Sequence, residues 1–286
     1  MTASLADGNC DRPIGFPIVR RPSDVDVRPV LVSIPHYGMS PVPGVDVTDY
    51  ADPSYVSFPL GYTDRYASDI YGDCERFGAT VLATPYSRLF VDVNRRRDDF
   101  DAEGGAVASQ KGVVKTHTIY DDVVFAAPLK AETVEHRLRQ YYDPYHRALT
   151  SLLAESCRVH ERVLLLDAHT ASKKGLGRHD VVVSTSRGVT ARDSVADAAQ
   201  AIFEAAGYCT GRDVKGYSGG YIVRSYGRSK SAQIDAVQIE INTALLMTVS
   251  RKEMFERLNH GEHPPFDEAV ARRLRRCVGK IICAYE

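Results

Sequence analysis

The sequence predicts a single α/β domain whose central sheet is mainly parallel or mixed and carries helices on both faces. Short apolar runs rich in β-branched residues alternate along the chain with longer segments of helical periodicity, which is the pattern of strands joined by helical crossovers. The 286 residues include 44% hydrophobic residues, enough to fill one sizeable core. No internal repeat or low-complexity tract breaks this alternation.

Six short runs predict strands, because each is apolar and bounded by polar or turn-forming residues. The run VLLL, at 163–166, is the most apolar of them. In chain order the predicted strands cover residues 29–34, 79–84, 89–93, 163–166, 181–184 and 236–241.

Four helices are predicted from apolar residues spaced three and four apart. Thr63 or Asp64 is placed to cap the first, and a bend or interruption is expected in the second at Pro144, which lacks a backbone donor. Charged and small residues from 97 to 118 predict a long irregular loop. The helices cover residues 63–77, 129–159, 191–206 and 266–282.

The N-terminal residues 1–25 are polar and contain Gly and Pro, so we expect a flexible lead-in there and one domain over residues 26–286. This lead-in has no basic stretch followed by an apolar run, and no part of the chain approaches the roughly 18 consecutive apolar residues of a membrane-spanning helix. We therefore expect a soluble, cytoplasmic protein.

The composition predicts a small-molecule partner rather than a nucleic acid or a membrane. Lys and Arg number 36 against 37 Asp and Glu, so the formal net charge is -1 and no global field attracts polyanions. The six cysteines form no CxxC pair, which argues against a thiolate zinc site and a disulfide framework. These features leave the oligomeric state open.

Polar residues gather at the carboxyl ends of the predicted strands, where ligands bind to sheets of this kind. His36 follows the first strand, and Glu240 lies within the apolar frame of the last. Such side chains cost free energy when buried without a partner, and a metal ion or an ion pair supplies one. The full set is His36, Asn94, Arg95, Asp167, His169 and Glu240.

Two histidines and one carboxylate, with an open position for water, form a catalytic zinc site. His36 and His169 supply imidazoles from separate strand ends, and Asp64 supplies a carboxylate at the start of the first helix. Helix capping alone would also account for Asp64, and a structural role would account for either histidine taken singly. Together the three residues predict a site for one zinc ion, and the same donors also accept other divalent metals.

Glu240 is the candidate general base. It lies between Ile239 and Ile241, so its side chain points away from the apolar face that they share, although a half-exposed strand would explain the same pattern. A base at this position takes a proton from the attacking water and returns it to the leaving amine. Arg88 and Arg95 flank one predicted strand, and their guanidinium groups match a carboxylate, which predicts an acidic substrate.

Seven segments, spread over about residues 30–250, resemble in order the motifs of the N-formylglutamate amidohydrolase family. The family resembles zinc carboxypeptidases in fold, so the resemblance implies a zinc-carboxypeptidase-like domain. The family reaction is hydrolysis of N-formyl-L-glutamate to formate and glutamate. The segments are PHYGMSPVP (35–43), YTDRYASDIY (62–71), SRLFVDVNR (87–95), YHRAL (145–149), LLDAHTAS (165–172), GGYIVRSYG (219–227) and QIEIN (238–242).

The resemblance also implies the metal ligands. His36, Asp64 and His169 match the positions of the zinc ligands, in agreement with the reading from the residues alone. Asp69 is a competing carboxylate, because it lies five residues after Asp64 and the family pattern has carboxylates at both positions.

The roles implied for the other residues concern the substrate. Glu240 is the implied base, and Asn94 with Arg95 is implied to hold the substrate carboxylate, as an Asn-Arg pair does in the carboxypeptidases. Arg88 is expected to polarise the scissile carbonyl, and Arg224 to make a second carboxylate contact.

Two other functions are compatible with these residues. A related zinc deacylase or carboxypeptidase-like hydrolase would act on another N-acyl amino acid or on a small peptide. A non-catalytic protein on the same scaffold would bind a carboxylate through Arg88 and Arg95 without turnover. The set of ligands and base favours an enzyme, since a binding protein has no use for Glu240 beside a metal.

Overall fold

A mixed sheet runs through the centre of the protein. The computed structural model describes residues 16–52, 62–118, 120–260 and 262–285. In chain order the strands of these ranges are β1 (Ile18–Arg20), β2 (Val30–Ile34), β3 (Thr80–Ala83), β4 (Asp101–Glu103), β5 (Ala106–Ala108), β6 (Val163–Ala171), β7 (Val181–Ser184), β8 (Thr210–Arg212) and β9 (Ile234–Asn242). Seven of these strands form the sheet, in the order β1-β3-β2-β6-β9-β7-β8, and β4 and β5 form a separate hairpin.

The middle of the sheet is parallel, and its direction reverses toward both edges. Strands β3, β2, β6 and β9 are parallel neighbours, whereas β1 pairs antiparallel with β3 and β7 pairs antiparallel with β9. The predicted single α/β domain with a mainly parallel or mixed sheet is confirmed. Because β2, β6 and β9 run in the same direction, their carboxyl ends meet at one edge of the sheet.

Helices cover both faces of the sheet. In chain order they are α1 (Ala67–Tyr71), α2 (Ala131–Arg137), α3 (Asp143–Val159), α4 (Lys173–Leu176), α5 (Asp193–Ala205), α6 (Tyr221–Tyr226), α7 (Arg251–Asn259) and α8 (Glu268–Ala284). Helices α1, α5 and α8 contribute to one buried layer, and α2, α3 and α6 contribute to the other. None of the helices in the described ranges is long and apolar enough to cross a membrane.

Successive residues of the central strands face opposite layers. In β2, Val30 and Val32 pack in the layer of α8, whereas Leu31 packs in the layer of α3. All residues of β2, β6 and β9 are buried, which explains their nearly continuous apolar sequences. The polar residues within these strands are therefore held away from bulk water and need partners.

The predicted strand at 89–93 is a buried turn instead. Its backbone is held by residues 113–115, which lie beside it in space. Asp92 N donates to Val113 O at 2.7 Å, and Lys115 N donates to Leu89 O at 3.0 Å. The apolar alternation in this stretch reflects burial under that segment rather than pairing in a sheet. Periodicity alone cannot distinguish the two cases.

The predicted irregular loop at 97–118 contains the hairpin of β4 and β5. Its turn is formed by Gly104 and Gly105, whose φ angles of 57° and 81° are readily adopted by glycine. Strand β4 is exposed and has the sequence DAE, so it lacks the apolar residues that predict a strand.

The first predicted helix, at 63–77, is divided into α1 and a 3-10 turn, Cys74–Phe77. The residue before α1 is Tyr66, which has a φ of 61° and makes no side-chain capping bond. Asp64 therefore caps no helix, and its carboxylate bonds to His169 and Arg88 instead.

The second predicted helix, at 129–159, is continuous from α2 to α3 through a π-helical turn, Leu138–Tyr142. Pro144 lies in the first turn of α3. Because proline has no backbone donor and crowds the preceding turn, the helix widens just before it. The bend expected at Pro144 thus takes the form of a wider turn.

The predicted flexible lead-in overlaps the sheet. Residues 1–15 lie outside the described residues, but β1 lies within the predicted lead-in and pairs with β3, with Val19 opposite Leu82. The sheet therefore includes residues before the predicted boundary at residue 26. A strand of three residues is too short to give a recognisable pattern.

Candidate active site

A cavity of ≈ 820 Å³ opens at the edge of the sheet where β2, β6 and β9 end. His36 follows β2, His169 lies in β6 and Glu240 lies in β9. Strand β6 continues past the predicted end at residue 166, so His169 lies inside the strand rather than after it. The predicted site residues that line the cavity are His36, Asp64, Arg88, Asn94, Arg95, His169 and Glu240.

Three of these residues form a compact cluster of metal-ligating groups. One ligand atom each from His36, Asp64 and His169 lies within 4.8 Å of the others, and all three residues are buried. His169 Nδ1 lies 2.8 Å and His36 Nδ1 lies 3.7 Å from Asp64 Oδ2. Two imidazole nitrogens and one carboxylate oxygen are a donor set of catalytic zinc sites, so the residues present fit a zinc ion.

A second carboxylate supports each histidine from behind. His36 Nε2 lies 2.7 Å from Asp92 Oδ1, and His169 Nε2 lies 3.0 Å from Asp167 Oδ2. A carboxylate accepts a hydrogen bond, so His36 Nε2 carries the proton, and His36 Nδ1 accepts from Arg88 Nη1 at 2.9 Å. For His169, Nδ1 also faces a carboxylate, that of Asp64, so both of its nitrogens donate, and a ligand role at Nδ1 would require the loss of that proton. In both residues the carboxylate at Nε2 fixes the ring. This arrangement orients histidine ligands in metal sites.

Asp92 joins this cluster to a buried lysine. Lys115 Nζ lies 2.8 Å from Asp92 Oδ2, and both side chains are almost wholly buried. Burial opposes ionisation of Asp92, but the charge of Lys115, followed by contact with His36, holds the pKa of Asp92 well below its usual range. Asp92 is therefore ionised when it accepts the hydrogen bond from His36.

We expect the double variant Asp92→Asn/Lys115→Met to bind zinc about 10- to 100-fold more weakly, because His36 loses the carboxylate that orients it. Removing both charges avoids leaving a buried charge without a partner, which would itself destabilise the fold. Competition with a chelator of known affinity measures the change. Arg96→Met/Asp98→Asn removes an exposed ion pair outside the cavity lining and is the matched control, which should keep wild-type affinity. Wild-type zinc affinity in folded Asp92→Asn/Lys115→Met would contradict the assignment.

Arg88 lies against the metal-ligating cluster. Its Nη2 is 3.1 Å from Asp64 Oδ1, its Nη1 is 2.9 Å from His36 Nδ1, and its Nε donates to Tyr62 O at 2.6 Å. Burial opposes ionisation of Asp64, but the positive charge of Arg88 and the hydrogen bond from His169 hold the pKa of Asp64 far below its usual range. Asp64 thus presents an ionised carboxylate.

His169 is subject to opposing effects. Burial disfavours its protonated form, but the negative charge of Asp167 and the hydrogen bonds to Asp167 and Asp64 outweigh burial and raise the pKa of His169 well above its usual value. The carboxylates of Asp64 and Asp167 therefore favour a positive charge at His169. A divalent cation beside the same carboxylates would satisfy this preference as well.

Glu240 faces the cavity from β9. Ile239 and Ile241 pack in the layer of α8, so the alternation of the strand directs Glu240 to the opposite face, beside His169 in β6. Gln238 Nε2 donates to Glu240 Oε1 at 2.7 Å. Burial, opposed by the charge of His169 and reinforced by that of Asp64, raises the pKa of Glu240 to about 7. A carboxylate with such a pKa can accept and release a proton near neutral pH.

Asn94 and Arg95 reach the cavity from the buried turn. Asn94 Nδ2 donates to Asp167 Oδ2 at 3.1 Å, and Asn94 Oδ1 accepts from Ile222 N at 2.8 Å. A Cβ atom on Gly220 would lie 2.7 Å from Asn94 Nδ2, so only glycine allows α6 to begin this close to Asn94. The side chain of Arg95 is 48% exposed and has its Nε 3.8 Å from Asp92 Oδ2, which leaves most of its donors available to a ligand.

Helix α3 and the π-helical turn before it hold this turn in place. His146 Nε2 lies 2.9 Å from Val93 O, and Tyr142 Oη donates to Arg95 O at 2.8 Å. Since a carbonyl accepts, His146 Nε2 carries the proton and His146 Nδ1 accepts from Tyr226 Oη at 2.8 Å. Burial lowers the pKa of His146 to about 4, so this imidazole is neutral and structural.

Neutral His146 makes stability depend on pH. Because the histidine has a lower pKa in the folded protein than in the unfolded chain, the unfolded chain gains protons first as pH falls from 6.5 to 4. We expect the free energy of unfolding to fall by about 3 kcal/mol over this window through His146 alone. Urea unfolding at a series of pH values, with wild type and His146→Gln both kept metal-free, measures the contribution as the difference between the two curves. Parallel curves would contradict it.

Two predicted residues lie outside the cavity lining. Arg224 is exposed on α6, donates from Nε to Ser186 Oγ at 3.2 Å and does not line the cavity. Asp69 lies apart from the cluster, with its Oδ2 3.3 Å from His263 Nε2. The geometry therefore selects Asp64 over Asp69 as the carboxylate beside the two histidines.

Several site residues were not assigned a role from the sequence. Asp92 lies between apolar residues in LFVDV, and Asp167 lies within an apolar strand two residues before His169. At both positions the sequence indicates a buried carboxylate that needs a partner. No local pattern pointed to Lys115, which reaches the site from a distant segment. The residues concerned are Asp92, Lys115, Asp167 and Gln238.

Comparison with known sequences gives consistent matches. The profile of the N-formylglutamate amidohydrolase family matches residues 28–247. An N-formylglutamate deformylase of Pseudomonas aeruginosa is 32% identical over 232 residues, which cover 74% of this chain and 80% of the relative. An N-formylglutamate deformylase of Pseudomonas putida is 29% identical over 234 residues, which cover 77% of this chain and 82% of the relative.

Solved structures have a similar fold. The crystal structure of N-formylglutamate amidohydrolase from Ralstonia eutropha JMP134 matches with a TM-score of 0.75 and 23% identity, and the match covers 93% of this chain and 96% of that one. A gene product from Agrobacterium tumefaciens matches with a TM-score of 0.59 and 16% identity, covering 89% of this chain and 92% of that one. These two likenesses concern the fold.

Proposed function

The chain belongs to the N-formylglutamate amidohydrolase family, and from this premise we propose that it is a zinc-dependent enzyme that hydrolyses N-formyl-L-glutamate to formate and glutamate. Two relatives are N-formylglutamate deformylases by name. The observation that carries the proposal is the cluster of His36, Asp64 and His169 with the buried carboxylate of Glu240 on the adjacent strand.

His36, Asp64 and His169 would hold the zinc ion, through the two Nδ1 atoms and the Asp64 carboxylate. When bound, zinc lowers the pKa of a water molecule toward neutrality and polarises a carbonyl group. Arg88 Nη1 now bonds His36 Nδ1, whose single lone pair can serve only one partner. If His36 Nδ1 served as a ligand, Arg88 Nη1 would lose this acceptor and could donate to another group.

Asn94 and Arg95 would bind a carboxylate of the substrate. Arg95 contributes a partly exposed guanidinium group at the cavity wall, and such a group matches the two oxygens of a carboxylate. The Asn94 amide is fixed by its bonds to Asp167 and Ile222 N, so it presents a preset orientation to the ligand. A fixed carboxylate places the amide of the substrate beside the cluster.

Glu240 and Arg88 would carry the chemistry that this chain supplies. Glu240 accepts a proton from the attacking water and later gives it to the amine nitrogen as the C–N bond breaks. Arg88 lies beside Asp64 and His36, where its guanidinium can donate to the oxygen that gains negative charge. Gln238 holds the Glu240 carboxylate in position through its 2.7 Å hydrogen bond.

Release of glutamate from N-formyl-L-glutamate tests the proposal directly. We expect purified zinc-loaded protein to release glutamate, treatment with a chelator to abolish release, and addition of zinc to restore it. Release that persists after complete metal removal would contradict zinc dependence. Bound zinc without release would exclude this substrate and leave the rival assignments, a deacylase for another N-acyl amino acid or a carboxylate-binding protein.

A further inference from the structure

Strands β6 and β9 direct side chains to the cavity side of the sheet at three successive levels. Neighbouring levels lie two residues apart along each strand, a distance of about 6.6 Å. From the first level to the third, the opposed pairs are Asp167 with Gln238, His169 with Glu240, and Ala171 with Asn242.

These levels give the substrate a direction. Asn94, part of the proposed carboxylate site, lies on the first-level side of the His169 ring, with its Nδ2 3.1 Å from Asp167 Oδ2 and 3.0 Å from His169 Nε2. His169 and Glu240, which would act on the amide, form the second. A substrate with its carboxylate at Asn94 and its amide at Glu240 must therefore extend its acyl group toward the third level.

Two arginines line the cavity at this acyl end. Arg65 follows Asp64, and its carbonyl accepts from Thr170 Oγ1 at 2.7 Å, which ties it to β6 just beyond His169. Arg251 begins α7. The Cζ atoms of the two arginines lie 4.5 Å and 5.6 Å from the centre of the Phe255 ring, so both guanidinium groups gather around one aromatic side chain.

Neither arginine forms an ion pair with a described residue. Arg65 Nε is buried and has no acceptor within the described ranges. Its neighbour at the Phe255 ring, Arg251, brings a second positive charge rather than a counter-charge. Arg257, on the same helix, shows the ordinary arrangement, with Glu253 at 2.9 Å and Glu262 at 3.3 Å.

We propose that Arg65 and Arg251 form an anion subsite that binds a carboxylate at the far end of the acyl group. This inference rests on the proposed function and widens its substrate class to amino acids N-acylated by a dicarboxylic acid. Hydrolysis breaks the amide C–N bond, water adds its hydroxyl to the acyl carbon and its proton to nitrogen, and the products are a dicarboxylate and the free amino acid. The cavity volume of ≈ 820 Å³ leaves room for an acyl group larger than formyl.

The test compares N-succinyl-L-glutamate with N-succinamoyl-L-glutamate. The second compound has the same shape, but a neutral amide replaces the terminal carboxylate of its acyl group. We expect zinc-loaded wild type to prefer the succinyl compound by about 10- to 100-fold in kcat/KM, since the carboxylate gains charge-assisted hydrogen bonds. Arg65→Gln and Arg251→Gln should each remove most of this preference, and Arg251→Glu should reverse it. Lys252→Gln is the matched control, because Lys252 lies next to Arg251 but its side chain is 88% exposed and does not line the cavity.

The outcomes separate this inference from the proposed function. Hydrolysis of N-formyl-L-glutamate without any succinyl preference would overturn the subsite and leave the proposed function intact. Hydrolysis of the succinyl compound alone, with the preference dependent on Arg65 and Arg251, would support the subsite and refute the proposed substrate. A third outcome would overturn the inference. If N-acylglutamate is preferred over N-acylglutamine, and Arg251→Gln removes that preference, the two arginines bind the side-chain carboxylate of the amino acid rather than the acyl group.

Binding supplies a readout that needs no turnover. Zinc-loaded Glu240→Gln protein, titrated calorimetrically with the same two compounds, should bind the succinyl compound about 10-fold or more tightly than the amide. Equal dissociation constants would overturn the subsite even if none of the compounds were hydrolysed.

Discussion

Glu240→Gln is expected to retain bound zinc and to lose roughly 10²- to 10⁴-fold in kcat, because the variant keeps the size of the side chain but cannot accept a proton. Glu240 is not one of the three clustered ligand residues, so metal content should stay at the wild-type value. The hydrogen bond from Gln238 can be kept by the new amide oxygen, which preserves the local packing. Turnover of N-formyl-L-glutamate and metal analysis of the same sample measure the two quantities.

Each alternative outcome of this experiment has a distinct meaning. Wild-type turnover in Glu240→Gln would show that another group accepts the proton. Loss of zinc together with turnover would identify Glu240 as a ligand. Glu256→Gln, an exposed substitution on α7, is the matched control and should leave metal content and turnover unchanged.

His36→Ala is expected to abolish zinc binding and activity together. Wild type should contain about one zinc ion per chain, and the variant should lose metal and most of the rate, a fall on the order of 10⁴-fold or more. The physical reason is that Asp64 and His169 alone offer too few donors to hold the ion against water. Metal analysis before and after incubation with zinc, combined with the glutamate-release assay, measures the effect.

The control for this variant is a histidine outside the cavity. His136→Ala, in the exposed part of α2, should keep both metal and activity. Circular dichroism of both variants verifies that the fold is intact. Metal bound at the wild-type level by folded His36→Ala would remove His36 from the ligand set, while loss of metal in His136→Ala would point to a general loss of stability.

Much of the fold could be predicted because it depends on local patterns. The strands β2, β6, β7 and β9 are buried on both faces, so their apolar runs are visible without any tertiary information. The elements that were predicted wrongly depend on contacts between distant parts of the chain or lack an apolar pattern. The stretch at 89–93 is buried by a segment distant in sequence, and β4 is an exposed strand without apolar residues, so neither has the pattern that its structure would normally produce.

The candidate site divides in the same way. His36, His169 and Glu240 could be selected from the sequence, because a polar residue in the frame of a buried strand must find a partner and few partners other than a ligand are available. Their occurrence in one cavity followed from the parallel order of β2, β6 and β9. Their individual roles stay predictions, to be tested by the variants described above.

The sequence by itself determined the fold class, the family motifs and the polar residues at the strand ends, because these depend on periodicity and on the cost of burying charge. Only the tertiary structure decided that Asp64 rather than Asp69 meets the histidines, that Arg224 lies outside the cavity, and that Asp92 and Lys115 stand behind His36. It also brought Arg65 and Arg251 to one aromatic ring. These contacts join residues far apart in the chain. The spacing of neighbouring residues does not encode them, because they depend on the path of the backbone between those residues.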